Sequence, residues 1–251
     1  MSSTSHRMTS WLTATIVALL TSMSALAADY KMTSLDWPPY TNDQLAAQGA
    51  SSAVVTEAMK AAGNGVKIEF YAWTRTVNLA KSDAAYIAYF PEYYSKENAA
   101  EFLYSDPIGT GPLVFVERKA APVTWTSYDS LKGKKIGVVK DYVNTEELDA
   151  KIASKALSAD VAPDDVKNLL KLAAGRIDVA VVDVNVYNYL AKNDASVKGV
   201  TSQLQVNAKV LEDKKLFVCF KKSPEGEKAL KAFNQGLKKV NIDDIMKKYF
   251  K

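Results

Sequence analysis

From residue 30 onward, short runs of strand character alternate with stretches of helical periodicity, and that alternation admits few folds. It predicts an α/β protein with a largely parallel sheet. Residues 30–35, 66–71 and 85–90 read as strands, and 113–117 as a further extended run. Helices are expected over 51–62, where Val54, Val55, Ala58 and Met59 share a face ahead of Gly63, and over 74–81. Residues 118–126 read as a connector, after which a second α/β set begins. It has strands at 135–139 and 177–182, the latter apolar enough to be covered on both faces, and helices at 145–156, 163–174 and 187–192. Pro163 opens the middle helix and Gly175 stops it. A strand at 216–220 and helices within 225–250 complete the chain. The pattern predicts two lobes joined by crossing strands: 28–117 as the first, 118–213 as the second, and 214–251 returning to the first. Two such lobes face each other across a cleft at the carboxyl ends of their strands, where ligands bind in open parallel sheets.

The first 27 residues read as an address. Arg7 precedes the short apolar stretch WLTATIVALL (11–20), and Ala25-Leu26-Ala27 forms a small-x-small cleavage site, so a mature chain is expected to begin at Ala28. The stretch is shorter than the roughly 20 residues a membrane span needs, and no later segment is more apolar, so no membrane insertion is expected. The single cysteine, Cys219, lies far from the cleavage site and within an apolar run, which points to a buried thiol rather than a lipid anchor or disulfide. Such a secreted chain fits the periplasm of a Gram-negative cell. The address takes one of the 32 basic residues and none of the 28 acidic ones, leaving a net charge of +3 spread over helical lysines, which argues against nucleic-acid binding. It also takes the only histidine, His6. Histidine-dependent nucleophilic catalysis and imidazole metal sites are thereby excluded, and neither a cofactor nor a metal is expected.

Five segments, in order, carry a resemblance over essentially the whole mature chain. They are DWPPY (36–40), YSDPIGTGPLVFV (104–116), LKGKKIGVV (131–139), AAGRIDVAVVD (173–183) and DIMKKYF (244–250). Together they resemble the extracellular solute-binding protein family 3, the polar amino-acid binding proteins of ABC transporters, in a divergent subgroup marked by WTR (73–75) and FPEYYS (90–95). The resemblance implies a type II periplasmic binding protein fold, with two lobes, a hinge and an interlobe ligand cleft. It also implies a monomer that delivers a small solute to a permease. Family members hold the ligand's α-carboxylate with an arginine whose position here is Asn98. Losing that cation costs roughly 2–5 kcal/mol unless another replaces it. Arg75, after a strand and at the start of a short helix, is the candidate replacement, with a planar fork suited to a carboxylate.

Aromatic residues crowd the same rim. Trp37, Tyr40, Trp73 and Tyr142 are candidates to stack on an apolar or cationic ligand portion. The resemblance adds Phe90, Pro91 and Tyr93, whereas Tyr89 and Phe102 read as core. In the second lobe, residues 140–145 (KDYVNT) join a strand to a helix. Asn144 is expected to cap that helix in a capping box with Glu147, leaving free amides for an anionic group, and Thr145 belongs to the same positional match. Asp183, at the end of its strand, is an N-cap candidate that the resemblance also assigns to a ligand ammonium. Solute capture for an ABC transporter is the first expectation. The alternatives are a cyclic-acid dehydratase-like enzyme, with Glu92 or Asp183 as its acid and Glu92 expected to be a solvated loop residue, and a ligand-dependent sensor.

Overall fold

A computed structural model describes residues 28–250; the expected signal segment, 1–27, lies outside the described residues. The first lobe starts with β1 (Asp29–Ser34), α1 (Ala50–Ala61), β2 (Gly65–Phe70), α2 (Trp73–Ser82) and β3 (Ala88–Tyr93). β1 lies between β2 and β3 and runs parallel to both. The short α3 (Lys96–Glu101) and β4 (Phe102–Tyr104) follow, and then β5 (Gly109–Arg118) crosses to the second lobe. There β6 (Lys135–Val139), α4 (Glu146–Ala153), β7 (Ser158–Ala162), α5 (Asp165–Ala173), β8 (Val179–Asp183), α6 (Val184–Asn193) and α7 (Ala195–Val200) repeat the α/β pattern. β6 sits between β7 and β8, parallel to both. The chain returns through β9 (Leu204–Lys221) and closes with α8 (Pro224–Leu237) and α9 (Ile242–Met246).

One strand path, β2-β1-β3-β9-β5-β8-β6-β7, runs through both halves, with β4 also paired to β9. The crossing is made by β5 and β9. They pair antiparallel from Gly109 with Leu216 to Arg118 with Leu204, and the far end of β9 then pairs with β3 and β4. β8 joins the other edge of β5 over Leu113 to Glu117. The expected strand at 216–220 is therefore the end of an 18-residue strand. Its first part is polar and half exposed because the crossing is not covered on both faces, so it carries no continuous apolar run. Edge strand β7 escaped the sequence pattern for the same reason, since only Ala162 in it is buried.

Each lobe buries its own apolar layer. Met32, Val54, Met59, Tyr89, Phe220 and Phe233 pack in the first, and Ile136, Leu148, Leu169, Leu172, Val179 and Val197 in the second. α8 comes back onto α1 so closely that a β-carbon on Gly236 would collide with the Ala58 carbonyl. The C-terminal helices thus belong to the first lobe's surface. Cys219 is buried there, and burial pushes its thiol pKa up.

Candidate functional site

The two lobes meet at the carboxyl ends of their strands. The first lobe supplies residues 35–43 after β1, 71–73 after β2, and the end of β3; the second supplies 141–143 after β6, 163–165 after β7, and Asp183 at the end of β8. Six strand ends therefore converge on one interface, as the sheet topology requires.

Asp183 is the polar centre. It N-caps α6, its Oδ1 accepting from the amides of Asn185 at 2.8 Å and Val186 at 3.2 Å. From the opposite lobe the Tyr40 hydroxyl donates to it at 3.1 Å and the Tyr93 hydroxyl at 3.3 Å. Asn185 Nδ2 in turn donates to the Tyr40 oxygen at 2.8 Å. Desolvation raises the carboxyl pKa to about 7, against the opposing pull of those amides and hydroxyls. Gly111 on β5 permits this approach, because a β-carbon there would run into both the Asp183 carboxylate and the Tyr40 hydroxyl.

Further bonds cross beside it. Trp37 Nε1 donates to Asp165 Oδ2 at 3.2 Å, Trp73 Nε1 donates to the Asp141 carbonyl at 2.9 Å, and the Thr74 hydroxyl donates to the Asp141 carboxylate. Lys96 pairs with Glu146 at the exposed margin. The rings form a connected wall. Trp37 stacks on Tyr40 at 4.6 Å and 21°, while Tyr93 and Tyr142 meet it edge-on, and Trp73 lies edge-on to Tyr142 at 5.8 Å. Inside this wall is a cavity of about 30 Å³ lined by Trp37, Trp73, Pro91, Glu92, Tyr93 and Tyr142 with neighbouring aliphatics. Outside it, a groove of about 800 Å³ opens along the interface.

Glu92 is a correction to the sequence reading. It sits on β3, 3% exposed, rather than on a solvated loop. It accepts from the Tyr89 hydroxyl at 3.0 Å, the Tyr93 amide at 2.8 Å and Asn98 Nδ2 at 2.8 Å. Desolvation raises its pKa to about 8, tempered by the Tyr89 hydroxyl, the Tyr93 amide and Lys214. Asn98 therefore spends its amide on a buried carboxyl of its own lobe. Asp165, buried at the start of α5, also has its pKa raised to about 7 by desolvation and by the nearby Asp183 charge.

The loop after β6 also departs from expectation. Thr145, not Asn144, caps α4, its hydroxyl accepting from the Leu148 amide at 3.2 Å. Asn144 instead gives both its backbone and side-chain N–H to Asp149. With Glu146, Glu147 and Asp149 filling the first turn, this helix start already holds its own negative charge. Arg75 is exposed, its guanidinium carbon 4.7 Å from the centre of the Tyr71 ring, and it lines neither the inner cavity nor the groove. Phe90 is fully buried behind the site, and Tyr89 packs edge-on against Phe102 in the core. The interface thus gathers Trp37, Tyr40, Trp73, Pro91, Tyr93, Tyr142 and Asp183 from the sequence candidates. It also holds Glu92, named from sequence only as an alternative acid, and adds Asp141, Asp165 and Asn185. The signal for Asp165 was its place just beyond a strand, hidden because β7 itself was not legible.

No protein-family model matches the chain, and no curated protein matches it. Solved structures do. A histidine kinase sensor domain with similarity to periplasmic binding proteins aligns at 20% identity and a TM-score of 0.74, over 88% of this chain and 95% of that one. The ligand-binding core of GluR0 from Nostoc punctiforme, in complex with L-glutamate, aligns at 18% identity and 0.70, over 88% and 99%. An amino acid ABC transporter substrate-binding protein from Streptococcus pneumoniae, bound to L-arginine, aligns at 17% identity and 0.70, over 88% and 94%. These likenesses establish the architecture: the chain has the two-lobe periplasmic binding protein fold.

Proposed function

We propose that this two-lobe protein captures a small polar solute between its lobes in the periplasm and passes it to the permease of an ABC transporter. The observation that carries the reading is the polar interface itself. Buried carboxyls of Asp183 and Asp165 are met by hydroxyl and indole donors from the facing lobe, which a permanent apolar junction would not need. Burying such groups is costly unless each finds a partner, so they fit a surface that alternates between lobe-to-lobe and lobe-to-solute contacts. The ligands bound by two of the similar structures, L-glutamate and L-arginine, are small polar solutes. No helix among the described residues is long and apolar enough to cross a membrane. The likeness to a kinase sensor domain supports a second reading, in which the closed form is presented to a membrane receptor.

The test is a thermal-shift screen of the purified protein against amino acids, amines, dicarboxylates and cyclic acids. A solute at 100 times its Kd should stabilise the protein by about 2.7 kcal/mol, a readily measured rise in Tm. A rise with one solute class is expected. Silence across the screen would contradict capture.

A further inference from the structure

Resting on that reading of the cleft, we propose that the captured solute is an organic amine cation that carries no carboxylate. Three observations converge on this chemistry. First, Glu92, Asp165 and Asp183 are each buried at the interface, and none has a salt-bridge partner within 4.0 Å among the described residues. Second, the walls between them are ring faces and edges of Trp37, Trp73, Tyr93 and Tyr142, surfaces that attract an alkylammonium or guanidinium group and offer little to a hydrated metal ion. Third, the outer groove carries Asp36, Asp43, Asp164, Asp165 and Asp194 against the single cation Lys167, although the whole chain is net positive. The field along the entry path therefore draws cations inward.

A carboxylate on the solute would find no seat. Arg75 stands outside, stacked on Tyr71, and Arg118 is spent on the carbonyls of Leu172 and Ile177 and beside Asp178 in the second lobe. Lys214, whose charge acts on Glu92, is 3.3 Å from Glu212 and lies over the Tyr93 ring. The start of α4 in the facing loop is filled by its own acidic side chains, and the starts of α5 and α6 are capped by Asp164 and Asp183. An anionic group in this cleft would meet repulsion from Asp165 and Asp183, against Lys167 as the one cation lining the outer groove.

Matched pairs that differ only by the carboxylate test the idea: agmatine against L-arginine, and 1,5-diaminopentane against L-lysine, each titrated calorimetrically into the purified protein. The decarboxylated member of a pair should bind at least tenfold more tightly than its amino acid. Asp183→Asn, which keeps a competent helix cap, and Glu92→Gln should each weaken the amine at least tenfold while leaving the far-UV spectrum unchanged. Equal or tighter binding of an amino acid, or binding of a dicarboxylate, would overturn the cation assignment and leave solute capture standing. Saturable calcium binding without amine binding would overturn it in favour of a metal. Absence of binding by all four probes, with a silent solute screen, would remove both readings.

Discussion

At Asp183 burial and hydrogen bonding act on one proton in opposite directions. Desolvation prevails and the carboxyl pKa rises from 3.8 to about 7, although two amides and the Tyr40 and Tyr93 hydroxyls favour the anion. The groups facing it are Tyr40 and Tyr93 from the first lobe and Asn185 and Asp165 from the second, while Lys214 faces Glu92. In the unfolded chain these carboxyls titrate near 4. Between about pH 4 and pH 8 the folded, closed form therefore holds more protons than the unfolded one, and its stability falls as pH rises through that window. Below pH 4 both forms are protonated and the effect vanishes. A bound cation favours the ionised carboxylates, so its affinity should rise over the same range. Melting of the solute-free protein should fall from pH 5 to pH 8, and Asp183→Asn should flatten that slope; an unchanged slope in the variant would place the titrating proton elsewhere. Sequence made Asp183 visible through its strand end and capping position. It named Glu92 only as an alternative acid on a solvated loop and did not show its burial, because β3 is flanked in the sheet by the crossing strand β9, a pairing between residues far apart in the chain.

Among the elements, the crossing strands decide how the lobes meet. β5 brings Gly111 under the Tyr40–Asp183 contact, where only a missing side chain leaves room. Gly111→Ala should wedge that contact apart, destabilising the closed form by about 1–3 kcal/mol as overpacking does, with a matching loss of solute affinity. Intact affinity would show that closure does not need this contact. Strands buried on both faces, such as β6 and β8, and helices with one apolar face, such as α1, were readable from periodicity alone. The first part of β9 was not, since alternating charged and apolar residues at an open crossing look like loop. The cap of α4 was misread by one residue because Asn144 and Thr145 are both good caps, and only the tertiary bond from Tyr128 to Thr145 and the bonds of Asn144 to Asp149 separate them.

For the whole molecule, two lobes, a two-strand crossing and an acidic, ring-lined interface combine into one device. Among the described residues the lobes are joined at the interface by hydrogen bonds, edge-on ring contacts and an exposed ion pair, each of modest individual strength. A solute that replaces several of them at once can therefore shift the balance between open and closed forms, as differential affinity for two states requires. The measurement that tests this most directly is the distance between spin labels placed at Glu57→Cys on α1 and Ser154→Cys beyond α4, both exposed, with native Cys219 buried away from the label. Any solute that raises the melting temperature should shorten that distance and narrow its distribution. A distance unchanged at saturating solute would contradict capture by lobe closure.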